Sequence, residues 1–236
     1  MANQHFNFKQ FSINQDKCAM KVGTDGVLLG AWCRIESSET ILDVGTGTGL
    51  IALMLAQRSS ADIEAIEIEV EAYNQANENF KNSQWQNRLI IHLGSFENFL
   101  PEKKYDLIVS NPPYFSNSYK PSDNSRKTAR HTETLNFDTL IKRSAKLLNT
   151  NGKLAVIIPF ESEKFFIETA AKENLFLKHK CQIKPTYLKS PNRLMLYFEL
   201  NYFGIVEEEI LVISESERHH YTPEYKCLTR DFYLNF

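Results

Sequence analysis

Short apolar runs alternate with longer amphipathic stretches along most of the chain, and this alternation predicts its secondary structure. The amphipathic stretches have the spacing of helices and fall at 49–58, 69–82, 136–152 and 161–175. The apolar runs are typical of strands and fall at 40–44, 62–68, 88–94, 105–110, 153–159, 176–185 and 193–200. Strands that alternate with helices of this length predict an α/β fold with a parallel, doubly wound sheet. We therefore expect seven strands, mostly parallel, with helices on both faces; the last two, with no helix between them, predict an antiparallel strand at the edge.

The first forty residues or so precede the first predicted strand of this sheet. No internal repeat, low-complexity tract or linker separates them from the rest of the chain. We therefore expect a single domain over residues 1–236, in which 1–39 form a flank or lid and 40–236 form the core sheet.

Composition narrows the class of protein. The chain is 42% hydrophobic and 24% charged with a formal net charge of −2, so any contact with nucleic acid must rest on a local basic patch. Its four cysteines are far apart with no C-x-x-C pair, which argues against a zinc site and favours the reducing cytoplasm. No apolar run approaches the length of a membrane span, and the first residues lack the apolar core of a secretion signal. We expect a cytoplasmic protein with no metal and no membrane segment.

The stretch "LDVGTGTGL" (42–50) follows a predicted strand and opens a predicted helix. Its glycines allow a tight turn and close approach of the backbone to a ligand, beside the free N–H groups of a helix start. A dinucleotide site would place Gly or Ala where Leu50 stands, whereas D-x-G-x-G-x-G is typical of S-adenosylmethionine (SAM) sites. An ordinary strand-to-helix turn is the alternative. The candidate cofactor contacts here are Asp43, Gly45, Thr46, Gly47 and Gly49.

The next two predicted strands end in further candidates for the cofactor site. Glu67 ends the second strand, where an acid accepts hydrogen bonds from ribose hydroxyls, although a solvated charge is the alternative. Ser95 and Phe96 follow the third strand, where adenine would meet a polar side chain and an apolar wall. Aspartate is frequent at the position of Ser95, so that residue departs from the common pattern.

The fourth strand stops in "NPPY", Asn111 to Tyr114. Two prolines cannot continue a strand, and they hold the corner rigid. The Asn111 side-chain oxygen and the Pro112 carbonyl could accept the N–H groups of a planar amine, which would hold its nitrogen towards a methyl donor and stabilise the charge that develops on it. Pro113 stiffens the corner, and Tyr114 could stack on the substrate. A proline turn that merely ends a strand is the alternative.

The glycine loop and NPPY together resemble the class I SAM-dependent N-methyltransferases. The segments 6–32, 189–200 and 221–236 are similar to the bacterial tRNA (adenine-N6)-methyltransferases that modify the adenosine 3′ of the anticodon in a valine tRNA. The resemblance implies a Rossmann-like class I fold, SAM as cofactor, the anticodon stem-loop of tRNA as partner, and a monomer. It also implies that Lys21 and Thr24 lie near the carboxylate of the cofactor; a solvated charge and a helix cap are their alternative roles.

The polar stretch between Ser116 and His131 carries four basic residues against Asp123, a net charge of +3. A basic loop with interleaved aromatic residues suits the phosphates and unpaired bases of an RNA loop, and an ordinary solvated loop is the alternative. Further basic clusters at 178–180, 184–193 and 217–220 could widen the RNA footprint. The predicted substrate contacts are Tyr114, Lys120, Arg126, Lys127, Arg130 and His131.

Two other functions stay open at this point. The same fold could methylate another amine, either a glutamine carboxamide of a protein or guanine N2 of rRNA. A non-catalytic RNA-binding protein could also keep this fold, although the intact candidate site argues against it.

Overall fold

The structure is a computed structural model that describes residues 4–18, 20–113, 135–216 and 220–236. Along the described chain, a small antiparallel ribbon precedes the first helix and the main sheet. The ribbon strands are β1 (His5–Asn7) and β2 (Ser12–Asn14). The sheet strands are β3 (Thr40–Val44), β4 (Asp62–Glu67), β5 (Leu89–Leu93), β6 (Tyr105–Ser110), β7 (Leu148–Pro159), β8 (Leu175–Thr186), β9 (Arg193–Leu200) and β10 (Glu207–Ser214).

The main sheet has eight strands in the order β10-β8-β9-β7-β6-β3-β4-β5. Only β9 pairs antiparallel to its two neighbours, while the other pairings are parallel. The predicted α/β class and mostly parallel sheet are confirmed, and all seven predicted strands are present. Two details of the prediction are wrong: the sheet has an eighth strand, β10, and the antiparallel strand β9 lies inside the sheet rather than at its edge.

Helices cover both faces of the sheet. They are α1 (Thr24–Trp32), α2 (Leu50–Arg58), α3 (Val70–Lys81), α4 (Phe137–Leu147), α5 (Glu163–Lys172) and α6 (Pro223–Thr229). Side chains of a strand alternate between the faces, so Ile41 joins the core beneath α1 and α2, whereas Leu42 joins the core beneath α4 and α5. Both faces are therefore apolar, which is why the strands appear in the sequence as continuous apolar runs.

The strand β10 is fixed to the sheet by charged and polar contacts from distant parts of the chain. Trp32 Nε1 donates to Glu209 Oε1 at 2.6 Å, and Arg34 pairs with Glu207 at 2.6 Å. Lys180 of the neighbouring strand lies 3.1 Å from Glu208. These partners explain how three consecutive acids can occupy an edge strand.

The N-terminal ribbon packs against the end of the chain that follows α6. Lys9 Nζ donates to the carbonyls of Arg230 (2.6 Å) and Phe236 (2.8 Å). The rings of Phe8 and Tyr233 stack with centroids 5.9 Å apart. The ribbon is therefore held in place by residues that are more than two hundred positions away in sequence.

Candidate active site

The candidate site lies at the carboxyl edge of the parallel strands, where β3, β4 and β6 end side by side. Val44 pairs with Ile66 of β4 and with Ser110 of β6. The buried Ser110 hydroxyl donates to the Val44 carbonyl at 2.9 Å, which ties the end of β6 to the end of β3. The glycine loop and the start of NPPY are thus brought together, at the edge where open α/β sheets bind ligands.

The glycine loop presents bare backbone to open space. Gly45 and Gly47 have φ of +70° and +58°, and a Cβ added at either would meet no heavy atom within 4 Å. Gly49 differs, because a Cβ there would come within 2.6 Å of the Phe80 ring. The first two glycines therefore form a cradle that a ligand can approach closely, whereas Gly49 allows α2 to pack against α3.

Asp43 lies beneath the glycine loop and is fully buried. Its Oδ2 accepts hydrogen bonds from Thr46 Oγ1 at 2.6 Å and from the Ala52 N–H at 3.1 Å. Its Oδ1 is buried and has no hydrogen-bond partner among the described residues. Burial raises the pKa of the Asp43 carboxyl to about 7, against the opposing effect of these two donors. In this structure Asp43 and Thr46 shape the loop from below, and direct contact with a cofactor stays a prediction for both.

Glu67 ends β4 and spans the wall of the cavity next to the loop. Its Oε2 accepts the Gly47 N–H at 2.8 Å, and its Oε1 accepts the N–H groups of Ile68 (2.8 Å) and Glu69 (3.0 Å). A carboxylate offers about four acceptor sites, so these three donors leave capacity for a hydroxyl group. The position and orientation of Glu67 thus fit the predicted ribose contact.

Gly94, Ser95 and Phe96 form the next wall of the cavity. The Gly94 N–H donates to the Glu67 carbonyl at 2.9 Å, which joins the ends of β5 and β4. Ser95 accepts the Glu97 N–H at 3.3 Å, and the Phe96 ring is buried in the core beneath α4. A half-buried hydroxyl therefore stands beside an apolar wall, as the sequence predicts for an adenine site.

Sequence reasoning missed one wall of this cavity. Leu135 and Asn136, just before α4, and Thr139 in its first turn line this wall. Asn136 caps that helix by accepting the Thr139 N–H at 2.7 Å. An Asn before an amphipathic run is a recognisable helix start, but nothing local in the sequence indicates that this helix begins at the cavity.

The residues of NPPY that the structure describes follow β6 directly. Asn111 and Pro113 are half-buried, and Pro112 is buried. Tyr114, Lys120, Arg126, Lys127, Arg130 and His131 lie outside the described residues, and their roles stay predictions.

The N-terminal flank reaches the glycine loop through polar side chains of α3. The buried Asn79 amide donates to the carbonyls of Asn14 and Thr48 at 2.9 Å each, and its oxygen accepts the Asn14 N–H at 2.9 Å. Further along the flank, Lys17 N–H donates to Gln75 Oε1 at 2.9 Å. Asn79 thus joins the ribbon to the loop that carries the cradle.

The flank also comes close to Glu67. Burial raises the pKa of the Cys18 thiol, and the charge of Glu67 adds to that rise. Lys21 Nζ donates to the Gln15 carbonyl at 2.9 Å, and Thr24 is the first residue of α1. The cap of α1 is Gly23, so the alternative role of Thr24 as a helix cap is wrong.

The part of the chain that the structure describes offers neither a membrane-spanning helix nor a metal site. None of its helices combines the length and apolar character needed to cross a membrane. Likewise, no three of its His, Cys, Asp or Glu side chains are grouped so that they could hold a metal ion.

Solved structures of other methyltransferases have a similar fold. A predicted O-methyltransferase from Agrobacterium tumefaciens superposes with a TM-score of 0.70, covering 88% of this chain and 96% of the other at 16% identity. A methyltransferase from Pyrococcus furiosus superposes with a TM-score of 0.54, covering 74% and 81% at 21% identity. At these identities the likeness concerns the fold alone, and it confirms the class I methyltransferase architecture.

Comparison of sequences is more specific. Residues 27–174, more than half of the chain, match the methyltransferase small domain family. The protein is 49% identical to a tRNA1(Val) (adenine(37)-N6)-methyltransferase from Christiangramia forsetii, over 99% of both chains. Enzymes with the same name from Parabacteroides distasonis and Trichodesmium erythraeum are 46% and 45% identical, over 99% and 100% of both chains. The chain therefore belongs to the methyltransferase small domain family and, within it, to the bacterial tRNA1(Val) (adenine(37)-N6)-methyltransferases.

Proposed function

We propose that this protein transfers the methyl group of SAM to N6 of an adenosine in tRNA, namely adenosine 37, next to the anticodon, in a valine tRNA. The observation that carries the proposal is the joining of β3, β4 and β6 at one edge, which brings the glycine cradle and Glu67 next to Asn111 and Pro112. Relatives of that activity match the chain over its whole length.

The residues present fit SAM as the cofactor. Gly45 and Gly47 leave open space that any side chain would fill, and Glu67 retains acceptor capacity for a ribose hydroxyl. Ser95 and Phe96 would border the adenine. When bound, SAM supplies an electrophilic methyl group on its sulfonium. Lys21 and Thr24 belong to the flank that we propose as a lid over the cofactor, within a single domain of residues 1–236.

The chemistry required of the protein is positioning. The exocyclic amine of adenine is a weak nucleophile because its lone pair is delocalised into the ring. Acceptors at the Asn111 side chain and the Pro112 carbonyl would hold its two N–H groups and favour the positive charge that develops on nitrogen. The rigid prolines keep these acceptors fixed before the substrate arrives, and Tyr114 would stack on the base. The amine proton can leave to solvent after transfer, so this scheme needs no general base.

The target base lies in an RNA loop, so extruding it costs less than extruding a base from a duplex. Lys120, Arg126, Lys127, Arg130 and His131 would contact the phosphates and bases around it. We further propose that the protein is cytoplasmic and acts as a monomer. Light scattering during gel filtration tests the oligomeric state directly.

Transfer of labelled methyl from SAM into a valine tRNA transcript, followed by nucleoside analysis, tests the function. N6-methyladenosine is expected in the transcript with adenosine 37 and not in one with guanosine there. If the labelled methyl group appeared instead on guanine N2 of rRNA or on a protein glutamine, that molecule would be the substrate rather than tRNA. Calorimetry that detects no SAM binding would support a non-catalytic RNA-binding protein instead.

The role of Asn111 has its own test. The Asn111→Ala variant is expected to lower kcat roughly 100-fold or more with little change in SAM affinity, because its acceptor acts mainly in the transition state. Asn82→Ala, at an exposed residue that ends α3, is the matched control and is expected to retain wild-type turnover. Unchanged turnover in the Asn111 variant would remove this residue from the mechanism.

A further inference from the structure

The hairpin that joins β8 to β9 reaches the same edge of the sheet as the candidate active site. Arg193, the first residue of β9, pairs with Pro159 at the end of β7 and with Ile183 near the end of β8. The Phe160 N–H donates to the Asn192 carbonyl at 3.2 Å. Because β7 runs parallel to β6, the turn at residues 187–192 lies at the carboxyl edge, on the β9 side of Asn111.

The tip of this hairpin exposes apolar side chains. Leu188 is 96% exposed and Tyr187 is 55% exposed. Both stand between Thr186 and Lys189 in the turn that joins β8 to β9. Apolar side chains presented in this way at the edge of an active site have the form of a contact surface rather than of a core.

The hairpin is basic. The segment 184–193 contains Lys184, Lys189 and Arg193 and no acidic residue. Lys184 Nζ donates to the Tyr187 carbonyl at 3.0 Å, and neither lysine forms an ion pair with any residue that the structure describes. The positive charge of both lysines is therefore available to a partner.

The hairpin is also held in a defined position. Arg193 Nε lies 2.9 Å from Asp25 in the first turn of α1. Within the turn, the Lys189 N–H donates to the Thr186 carbonyl at 3.2 Å, and the Asn192 N–H donates to the Ile183 carbonyl at 3.0 Å. A surface that is ordered before binding loses less conformational entropy when a partner docks.

Resting on the proposed function, we propose that the β8–β9 hairpin is a second RNA-contact surface of this enzyme. Tyr187 and Leu188 pack on an unpaired base of the anticodon loop, while Lys184 and Lys189 contact the phosphates on either side. Aromatic stacking and lysine–phosphate contacts are the common means of binding single-stranded RNA. This surface is separate in sequence from the basic stretch between Ser116 and His131.

Exposed apolar residues also occur at the opposite edge of the sheet, but there their surroundings are acidic rather than basic. Phe203 and Ile205 are 85% and 89% exposed in the connection from β9 to β10. This connection leads directly into the three acids that begin β10, Glu207 to Glu209. An acidic neighbourhood repels phosphate, so exposed apolar residues there serve as a matched control of similar exposure and opposite electrostatic surroundings.

The experiment measures binding of a fluorescently labelled valine anticodon stem-loop, together with kcat and KM for the full tRNA. The double variant Tyr187→Ala/Leu188→Ala is expected to weaken RNA binding on the order of ten-fold and to raise KM for tRNA by a similar factor. Its kcat at saturating tRNA and its SAM affinity are expected to stay at wild-type values. Tyr187→Phe, which keeps the ring, is expected to bind RNA as the wild type does.

The two lysines are tested by salt dependence. Lys184→Ala/Lys189→Ala is expected to reduce the slope of log K against log salt by about 1.4, since each phosphate contact with single-stranded RNA contributes about 0.7. The control Phe203→Ala/Ile205→Ala is expected to change neither the slope nor the RNA affinity. An unchanged slope in the lysine variant would overturn the assignment of phosphate contacts.

The outcomes separate this proposal from the function on which it rests. Wild-type RNA affinity in both hairpin variants, with N6-methylation intact, would overturn the contact surface and leave the function standing. Absence of tRNA methylation by the unaltered protein would overturn the function itself. Loss of SAM binding or of thermal stability in the hairpin variants would show a structural role and would also overturn the proposal. The proposal would equally be overturned if these variants changed the affinity for a protein partner and left the RNA affinity unchanged.

Discussion

The buried carboxyl of Asp43 makes the stability of this protein depend on pH in a way that one substitution can reveal. Its pKa in the folded protein is raised from 3.8 to about 7, chiefly by burial and further by the charge of Glu67. In the unfolded chain the same carboxyl ionises near its ordinary value. Between these two values the unfolded state releases a proton that the folded state retains, so the free energy of unfolding falls as pH rises from about 4 to about 7 and then levels off.

The size of the effect follows from the shift. About three pKa units, at 1.36 kcal/mol per unit, correspond to a loss of the order of 4 kcal/mol across that interval. Asn at position 43 keeps an oxygen that can accept from Thr46 Oγ1 and the Ala52 N–H, but it has no proton to lose. The Asp43→Asn variant is therefore expected to lose less stability than the wild type between pH 4 and pH 7.

Urea denaturation of both proteins in steps from pH 4 to pH 8 measures this difference. Subtracting one curve from the other cancels groups that both proteins share. One such group is His179, whose pKa is lowered mainly by burial and which therefore changes stability in the opposite direction. A difference that stays constant within about 0.5 kcal/mol from pH 5 to pH 7.5 would refute the reasoning, because Asp43 would then be ionised and solvated in the folded protein.

Two further substitutions test the supports of the glycine loop. Asn79→Ala removes three hydrogen bonds that join the N-terminal ribbon to this loop, and it is expected to lower the free energy of unfolding by about 2–3 kcal/mol and to weaken SAM binding. Asn82→Ala, just after the end of the same helix, should change stability by less than about 0.5 kcal/mol. Chemical denaturation measures stability and calorimetry measures SAM binding, and equal losses in the two variants would contradict the structure. Gly49→Ala combines a left-handed backbone with a methyl group 2.6 Å from Phe80, so it is expected to cost more than about 2 kcal/mol in thermal denaturation, and Phe80→Leu should recover part of the loss. Phe80→Leu alone also costs stability because Phe80 is buried, so the cost of Gly49→Ala is compared with and without it. An equal cost in both backgrounds would mean that the Phe80 contact contributes nothing.

Most of the sheet could be predicted because its strands are buried on both faces. A continuous apolar run such as that of β3 is recognisable without knowledge of its neighbours. The strand β10 carries only a weak form of that signal. It begins with Glu207, Glu208 and Glu209, which have the composition of a solvated turn, and its apolar run is only four residues long, 210–213. Their partners, among them Trp32, lie far away in sequence, so only the folded chain brings the pairs together.

Some residues of the candidate site could likewise be predicted from the sequence, and others could not. Gly45, Gly47 and Glu67 are defined by a local pattern within one strand–helix–strand unit. In the structure Gly45 and Glu67 line the cavity, and the Gly47 N–H donates to Glu67. The pattern does not distinguish a residue that faces the ligand from one that supports the loop. Asp43 lies beneath the loop, and its contact with the cofactor stays a prediction. Asn136 reaches the cavity only through the packing of α4, which no local pattern encodes.

The two hydrogen bonds that Lys9 donates to Arg230 and Phe236 have a consequence for the order in which contacts form during synthesis. They join residues 221 and 227 positions apart, so they cannot form until the ribosome has synthesised the last part of the chain. Chains are made at roughly 5–20 residues per second, and the N-terminal ribbon must wait through that time for its partner. Asn79 connects the ribbon to the glycine loop, so the ribbon that contacts residues 230–236 also contacts the candidate site. The ribbon beside the glycine loop therefore gains its contacts with Arg230 and Phe236 only after these residues have been synthesised.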